Sequence, residues 1–208
     1  MSNLQGCQRC PRLSAYRIEQ KDRFPNYHCL PVAGFGSPDA RLLVIGLAPG
    51  LHGANATGRP FTGDASGDLL FATLHKYGFA SNPTSRVSSD NMRLTDCRIT
   101  NAVKCVPPGN RPTTSEINSC KPFLSDEISM MMPGSVLLAL GTIAHRATLK
   151  ALDLTQAKYR FFQHAEYELP NGLTLIDSFH PSRYNQNTGR ITPDIFEDVF
   201  DRIRLKLQ

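Results

Sequence analysis

Four short apolar runs limit what this chain can fold into: "RLLVIG" at 41–46, "RITNAVK" at 98–104, "SVLLALG" at 135–141 and "LTLIDSF" at 173–179. Each is apolar or β-branched and bounded by Gly, Pro or polar residues, the signature of a buried strand. Helical patterns lie between them. Residues 66–77 place Leu70, Leu74 and Tyr77 on one face, and Gly78 ends the run. Residues 114–132 follow Thr113 and Glu116 at capping-box spacing, and residues 142–152 begin at Thr142. Thr192 and Pro193 open a last helix whose stripe is Phe196, Val199, Phe200, Ile203 and Leu207. Strands alternating with helices predict a three-layer α/β fold, with a central four-stranded parallel sheet flanked by helices. Asn171-Gly172 is a hairpin signal and predicts a short edge strand before the fourth run. Residues 81–95 read as a polar surface loop. There is no internal repeat or linker, so one domain is expected over residues 1–208.

Composition narrows the setting. No apolar run approaches the roughly 20 residues of a membrane span, and "MSNLQGCQRCPRL" lacks the apolar core of a secretory signal. A cytoplasmic monomer without a membrane partner is expected. Lys and Arg exceed Asp and Glu by 23 to 18, which permits a nucleic-acid partner without demanding one.

In open α/β sheets the site forms at the carboxyl ends of the strands. The first run ends in "GLAPG", the second carries Asn101 and enters "KCVPPGNRP", the third ends in "GT" and the fourth in "HPS". A glycine-rich turn after a strand offers backbone N–H groups to an anion. No Lys-Ser or Lys-Thr follows this one, and Leu47 and Ala48 bring no polar side chain.

Six cysteines in a chain with no export signal are not expected to form disulfides. Cys7 and Cys10 form a C-x-x-C, while Cys105 and Cys120 bracket a Pro/Gly-rich loop that is hard to order without an anchor. Four thiolates can close a tetrahedral zinc site or hold an iron–sulfur cubane, and the spacing does not choose between these and scattered free thiols. A structural iron–sulfur cluster is the preferred expectation. Cys29 and Cys97 belong to no pair and read as core or surface thiols.

Taken together, the C-x-x-C, "GLAPGLHGANATGRPFTGDASGDLL" at 46–70, "TNAVKCVPP" at 100–108 and "HPSRYNQNTGR" at 180–190 are distinctive. The set resembles the uracil-DNA glycosylase superfamily, in its iron–sulfur branch called family 5 or type b, over roughly residues 7 to 190. The resemblance implies a four-stranded parallel sheet between helices and a structural [4Fe-4S] cluster, with no nucleotide cofactor. It also implies cleavage of the bond between a deaminated base and deoxyribose in DNA, as in base excision repair. Uracil is the expected base, with hypoxanthine or xanthine as further substrates. Family 4 shares the cluster but has Glu where this chain has Leu47. That absence favours family 5 and removes the usual water-activating side chain.

The resemblance also directs the reading of individual residues. A target base must be flipped out of the duplex into a pocket. Phe61 is expected to stack on it, and Asn101, with donor and acceptor capacity, to read its edge. Gly46, Ala48, Pro49 and Gly50 are expected to line the base and water site with backbone. His180, held by Pro181 after the fourth strand, is expected to donate to the carbonyl oxygen where charge develops. Asp64 is the candidate base, with helix capping as its competing role, and Asn55 is a second candidate for positioning water. Ser182, Arg183, Tyr184, Asn185 and Arg190 are expected to meet DNA, with Thr188 and Gly189 in the same loop and Arg183 or Tyr184 as the wedge. Arg59 and Arg111 are candidate phosphate contacts. The competing functions are a metal-cluster DNA-binding protein without glycosylase activity and an iron–sulfur redox protein.

Overall fold

The computed structural model describes residues 4–208; residues 1–3 of the expected domain lie outside the described residues. The four anticipated strands are present as β2 (Leu42–Gly46), β3 (Cys97–Asn101), β4 (Val136–Leu140) and β6 (Thr174–Ser178). They pair in parallel in the order β3-β2-β4-β6. Two antiparallel edge strands enlarge this four-stranded core to six: β1 (Phe35–Gly36) beside β3, and β5 (Glu166–Glu168) beside β6. The hairpin signal anticipated β5. β1 has two residues, too few to carry a periodicity.

Helices cover both faces because the parallel strands are apolar on both. Leu42, Val44, Leu138 and Ile176 pack in one cluster with Leu70, Phe71 and Leu74 of α3 (Ala65–Lys76) and with Phe196, Phe200 and Ile203 of α7 (Pro193–Lys206). On the other face Leu43, Ile45, Leu137 and Leu175 meet Leu124 and Ile128 of α4 (Thr114–Ser129) and Ala144 and Ala147 of α5 (Thr142–Ala151). The expected capping box opens α4, and Thr192 caps α7 by accepting from the Ile195 N–H.

A third cluster lies outside these layers. Helix α1 (Pro11–Arg23) packs Leu13 against Val103, Cys105, Cys120 and Phe123. Arg12 ties α1 to α4 through a two-pronged contact with Glu116, both N···O distances being 2.7 Å. The loop at 81–95 is pinned from inside: the Arg59 guanidinium bonds Ser85 Oγ at 2.8 Å, the Val87 and Ser88 carbonyls and the Asp90 carboxylate. Among the described residues no helix is long and apolar enough to cross a membrane.

Candidate active site

The carboxyl ends of the parallel strands surround a cavity of about 440 Å³, lined by Ala48, Gly50, Phe61, Asp64, Asn101 and His180 among others. That volume suits a small planar ligand. Adjacent strands set its floor, because Gly46 at the end of β2 is in register with Asn101 at the end of β3. A Cβ on Gly46 would lie 2.7 Å from Phe61 Cε2 and collide with Asn101 Oδ1. Glycine there lets the ring and the carboxamide both reach the floor.

Two of the lining side chains, Asn101 and His180, are largely enclosed and yet make no side-chain hydrogen bond within the described residues. Asn101 is 3 % exposed, yet its carboxamide forms no hydrogen bond within the described residues. An almost buried amide without a partner is costly in isolation, so a ligand is its natural counterpart. The His180 ring nitrogens likewise have no protein partner. That ring stacks near Phe61 with centroids 5.8 Å apart and planes 27° apart. Surrounding protein desolvates the imidazole and lowers its pKa to about 4, so it is neutral at pH 7. A neutral imidazole still presents one N–H. Phe61 itself has φ +57, the left-handed region that a bulky residue rarely adopts. Such strain, of order 1–3 kcal/mol, gathers where a side chain must face a ligand.

Asp64 is held in two ways at once. Its Oδ1 accepts the Gly67 N–H at 3.1 Å and caps α3. Its Oδ2 turns towards the glycine-rich loop, 3.6 Å from where a Cβ on Gly50 would stand and 2.6 Å from one on Gly53. Burial pushes the carboxyl pKa above its ordinary value, against the pull of the Gly67 and Ser66 N–H groups. One oxygen is therefore committed to the helix while the other faces the cavity.

Other expected residues sit elsewhere. Gly46 and Pro49 are buried behind the lining. Asn55, in the short helix α2 (Ala54–Thr57), is wholly buried with its Nδ2 3.4 Å from Cys29 Sγ and 3.5 Å from the Leu51 carbonyl. It is not part of the cavity lining, which corrects its assignment as a water-positioning group. Arg59, 8 % exposed and engaged by Asp90, does not reach a phosphate at the surface. Asn185 donates to the His180 carbonyl at 2.8 Å, so its amide braces the turn after β6 and is not free for DNA. Ser182 lines the cavity and caps the short helix α6 (Arg183–Asn187). Arg183, Thr188, Gly189 and Arg190 are exposed on and after α6; Tyr184 is 64 % exposed, with the Arg190 guanidinium 5.8 Å over its ring. Arg111 is also exposed. Sequence reasoning missed Asn110, Ser66, Thr142 and Ile143, which also line the cavity. The "GT" after the third run was the available signal for Thr142.

Cys7, Cys10, Cys105 and Cys120 all line one small cavity with apolar walls from Leu13, Val103 and Phe123. Burial raises the Cys105 thiol to about 12 and Cys120 to about 11. Among the described residues no three His, Cys, Asp or Glu groups converge tightly enough for one metal ion. Two polar features lie beside the thiols. The Lys104 N–H donates to Cys120 Sγ at 3.3 Å. Arg17, bonded to the Cys7 carbonyl, leaves its buried Nε without a partner. Ala48 packs against this cluster, so the cysteine region lies directly behind the glycine-rich loop.

Comparisons with known proteins identify the family. Residues 33–204 match the model of the uracil DNA glycosylase superfamily. The chain is 44 % identical over 204 residues to the type-5 uracil-DNA glycosylase of Thermus thermophilus, covering 96 % of this chain and 93 % of that protein. It is 42 % identical over 206 residues to the type-5 enzyme of Pyrobaculum aerophilum, covering 97 % and 89 %. The type-4 uracil-DNA glycosylase of Thermotoga maritima is 32 % identical over 170 residues, covering 81 % and 79 %.

Proposed function

The chain belongs to the uracil-DNA glycosylase superfamily, and from that premise we propose that it hydrolyses the N-glycosidic bond of uracil in DNA, leaving an abasic site for base excision repair. The observation that carries the reading is the cavity where Asn101, Phe61, His180 and Asp64 converge, with Asn101 and His180 lacking protein partners. Phe61 stacks on the flipped base and Asn101 reads its edge. As the C1′–N1 bond breaks, its electron pair passes to the base, and the His180 N–H donates to the carbonyl oxygen that becomes anionic. A donor of this kind lowers a barrier by roughly 3–4 kcal/mol. Water attacks the oxocarbenium-like C1′ and gives its proton to Asp64 Oδ2. Leu47 and Ala48 contribute only shape and backbone at the water site. The same lining, with no charged or polar side chain at 47 or 48, leaves hypoxanthine and xanthine as further substrates.

We infer that the cysteine residues hold a [4Fe-4S] cluster, the group the family resemblance implies. The four thiols ring one small cavity with apolar walls, a setting that suits a buried cluster held by cysteines alone. Cys7, Cys10, Cys105 and Cys120 would hold the cluster, and the Lys104 N–H would bond a ligand sulfur. Bound there, it supplies a structural cross-link between α1, the loop after β3 and α4.

DNA is met by Arg183, Tyr184 and Arg190, with Tyr184 as the wedge and Arg111 on a phosphate. The protein acts as a single-domain cytoplasmic monomer. A nicking assay tests the whole reading. Oligonucleotides bearing uracil, hypoxanthine, xanthine or thymine, single- and double-stranded, should yield alkali-labile sites with uracil above all. Binding without such sites would leave a DNA-binding protein that is not an enzyme.

A further inference from the structure

A second groove of about 380 Å³ opens on the far side of the α5 N-terminus, lined in part by Thr142, His145, Arg146, Tyr159, Arg160 and Phe161. Thr142 lines the uracil cavity as well, so the two recesses adjoin. No Asp or Glu lines the groove. Arg146 and Arg160 are exposed, and neither guanidinium has a carboxylate or hydrogen-bond partner within the described residues. Lys158 is exposed just before this wall, and no side chain caps the N-terminus of α5.

The wall is built rather than loose. His145 bonds the Tyr159 carbonyl through Nε2 at 3.0 Å and Asp177 Oδ1 through Nδ1 at 2.8 Å, tying residues 159–161 to α5 and β6. Phe161 packs edge-on against both His145 and Phe179, with centroids 5.7 Å apart in each pair. Gln163 Oε1 accepts the Phe179 N–H at 2.6 Å. Phe179 immediately precedes His180. The groove and the catalytic imidazole therefore share one rigid wall, and beyond it Phe162 stands 55 % exposed.

We propose that this groove is a second DNA contact, in which Arg146 and Arg160 hold the phosphates of the nucleotides flanking the flipped base on one side. The proposal rests on the glycosylase reading, which names DNA as the partner. Unpaired cations beside a recess without carboxylates suit a polyanion, and adjoining aromatic faces suit bases that have left the stack. A strand whose target base occupies the main cavity must leave it across the mouth, and Thr142 marks one exit.

The test measures binding of a uracil-free single-stranded oligonucleotide by fluorescence anisotropy across a salt series. Cleavage of the matching uracil oligonucleotide is followed in parallel. Arg146→Ala with Arg160→Ala should raise Kd roughly tenfold at moderate salt and flatten the salt slope by about 1.4, or about 0.7 per lost phosphate contact. Arg202→Ala, an exposed cation on the C-terminal half of α7, should do neither. Trimming the uracil oligonucleotide to one nucleotide on one side should weaken the wild type about as much as the double substitution does, and should cost the doubly substituted protein nothing further. A wild-type salt slope in the double variant would overturn the groove, as would equal losses on trimming in both proteins. Failure of the wild type to cleave any uracil oligonucleotide would instead refute the glycosylase reading, whatever the binding data show.

Discussion

Replacing Asp64 in two ways separates its two roles. Asn at this position keeps a side-chain oxygen for the Gly67 N–H and is as good an N-cap as Asp, but it cannot take a proton from water. Ala removes both functions. A general base contributes about 10²–10⁴-fold, or about 3–5 kcal/mol of barrier, while loss of the cap costs about 1 kcal/mol of stability. Single-turnover cleavage should therefore fall by at least a hundredfold in both variants. Asp64→Ala alone should melt lower than the wild type, by about 2–4 °C for a chain of this size.

The electrostatics add a sign that can be checked. Burial raises the Asp64 pKa in the folded protein above its unfolded value. The folded state then binds more protons than the unfolded state between those two values, so this group's contribution falls as pH rises through that window. Above it, the folded protein bears the cost of an ionised buried carboxylate; below the unfolded value, the cost vanishes. Asp64→Asn should accordingly melt at or above the wild-type temperature at pH 7, with any advantage lost in acid. The rate should show the complement: an acid limb above the ordinary carboxylate range in the wild type, absent from Asp64→Asn. A wild-type rate in Asp64→Asn would reduce Asp64 to a cap and end its role as base.

His180→Ala should lower the single-turnover rate by about 10²–10³. Because its pKa is about 4, no step in a wild-type pH–rate profile above pH 6 should disappear with it. Gly46→Ala would drive a methyl into Asn101 and Phe61; a displacement near 1 Å there costs on the order of a hundredfold in rate, read from kcat/KM with near-ultraviolet circular dichroism confirming the fold. Cys120→Ala should abolish bound iron and sulfide and open the segment after β3 to trypsin at Lys104, which is buried in the intact protein; full iron content in that variant would dismiss the four-cysteine ligand set.

The sheet was legible because its four central strands are almost wholly buried: β2 and β4 read as unbroken apolar runs, and β3 and β6 as short runs with apolar or β-branched centres, each lying between helical patterns. Helix α1 was not, because its buried face carries Arg17 and Gln20 beside Leu13, which erases the apolar stripe. Pro11 at its first turn was the remaining signal. The site was legible where chemistry follows a strand end directly, as at Asn101 and His180. It failed where a polar residue's partner lies far along the chain. Nothing near Arg59 in the sequence announces that Asp90, 31 residues later, neutralises it. Nor could Asn55 be known to turn towards Cys29.

The glycine-rich loop brings no polar side chain to the cavity: Leu47 and Ala48 line it with apolar groups, and Ala48 also packs against the cysteine region behind. α3 supplies Asp64 with a fixed direction through the Gly67 N–H, and Gly50 and Gly53 leave its second oxygen room beside the loop. On the proposed reading, capping and proton abstraction are not rival accounts of Asp64: the cap at Oδ1 fixes the carboxylate, and a fixed carboxylate lining the cavity is what a base acting on water there requires.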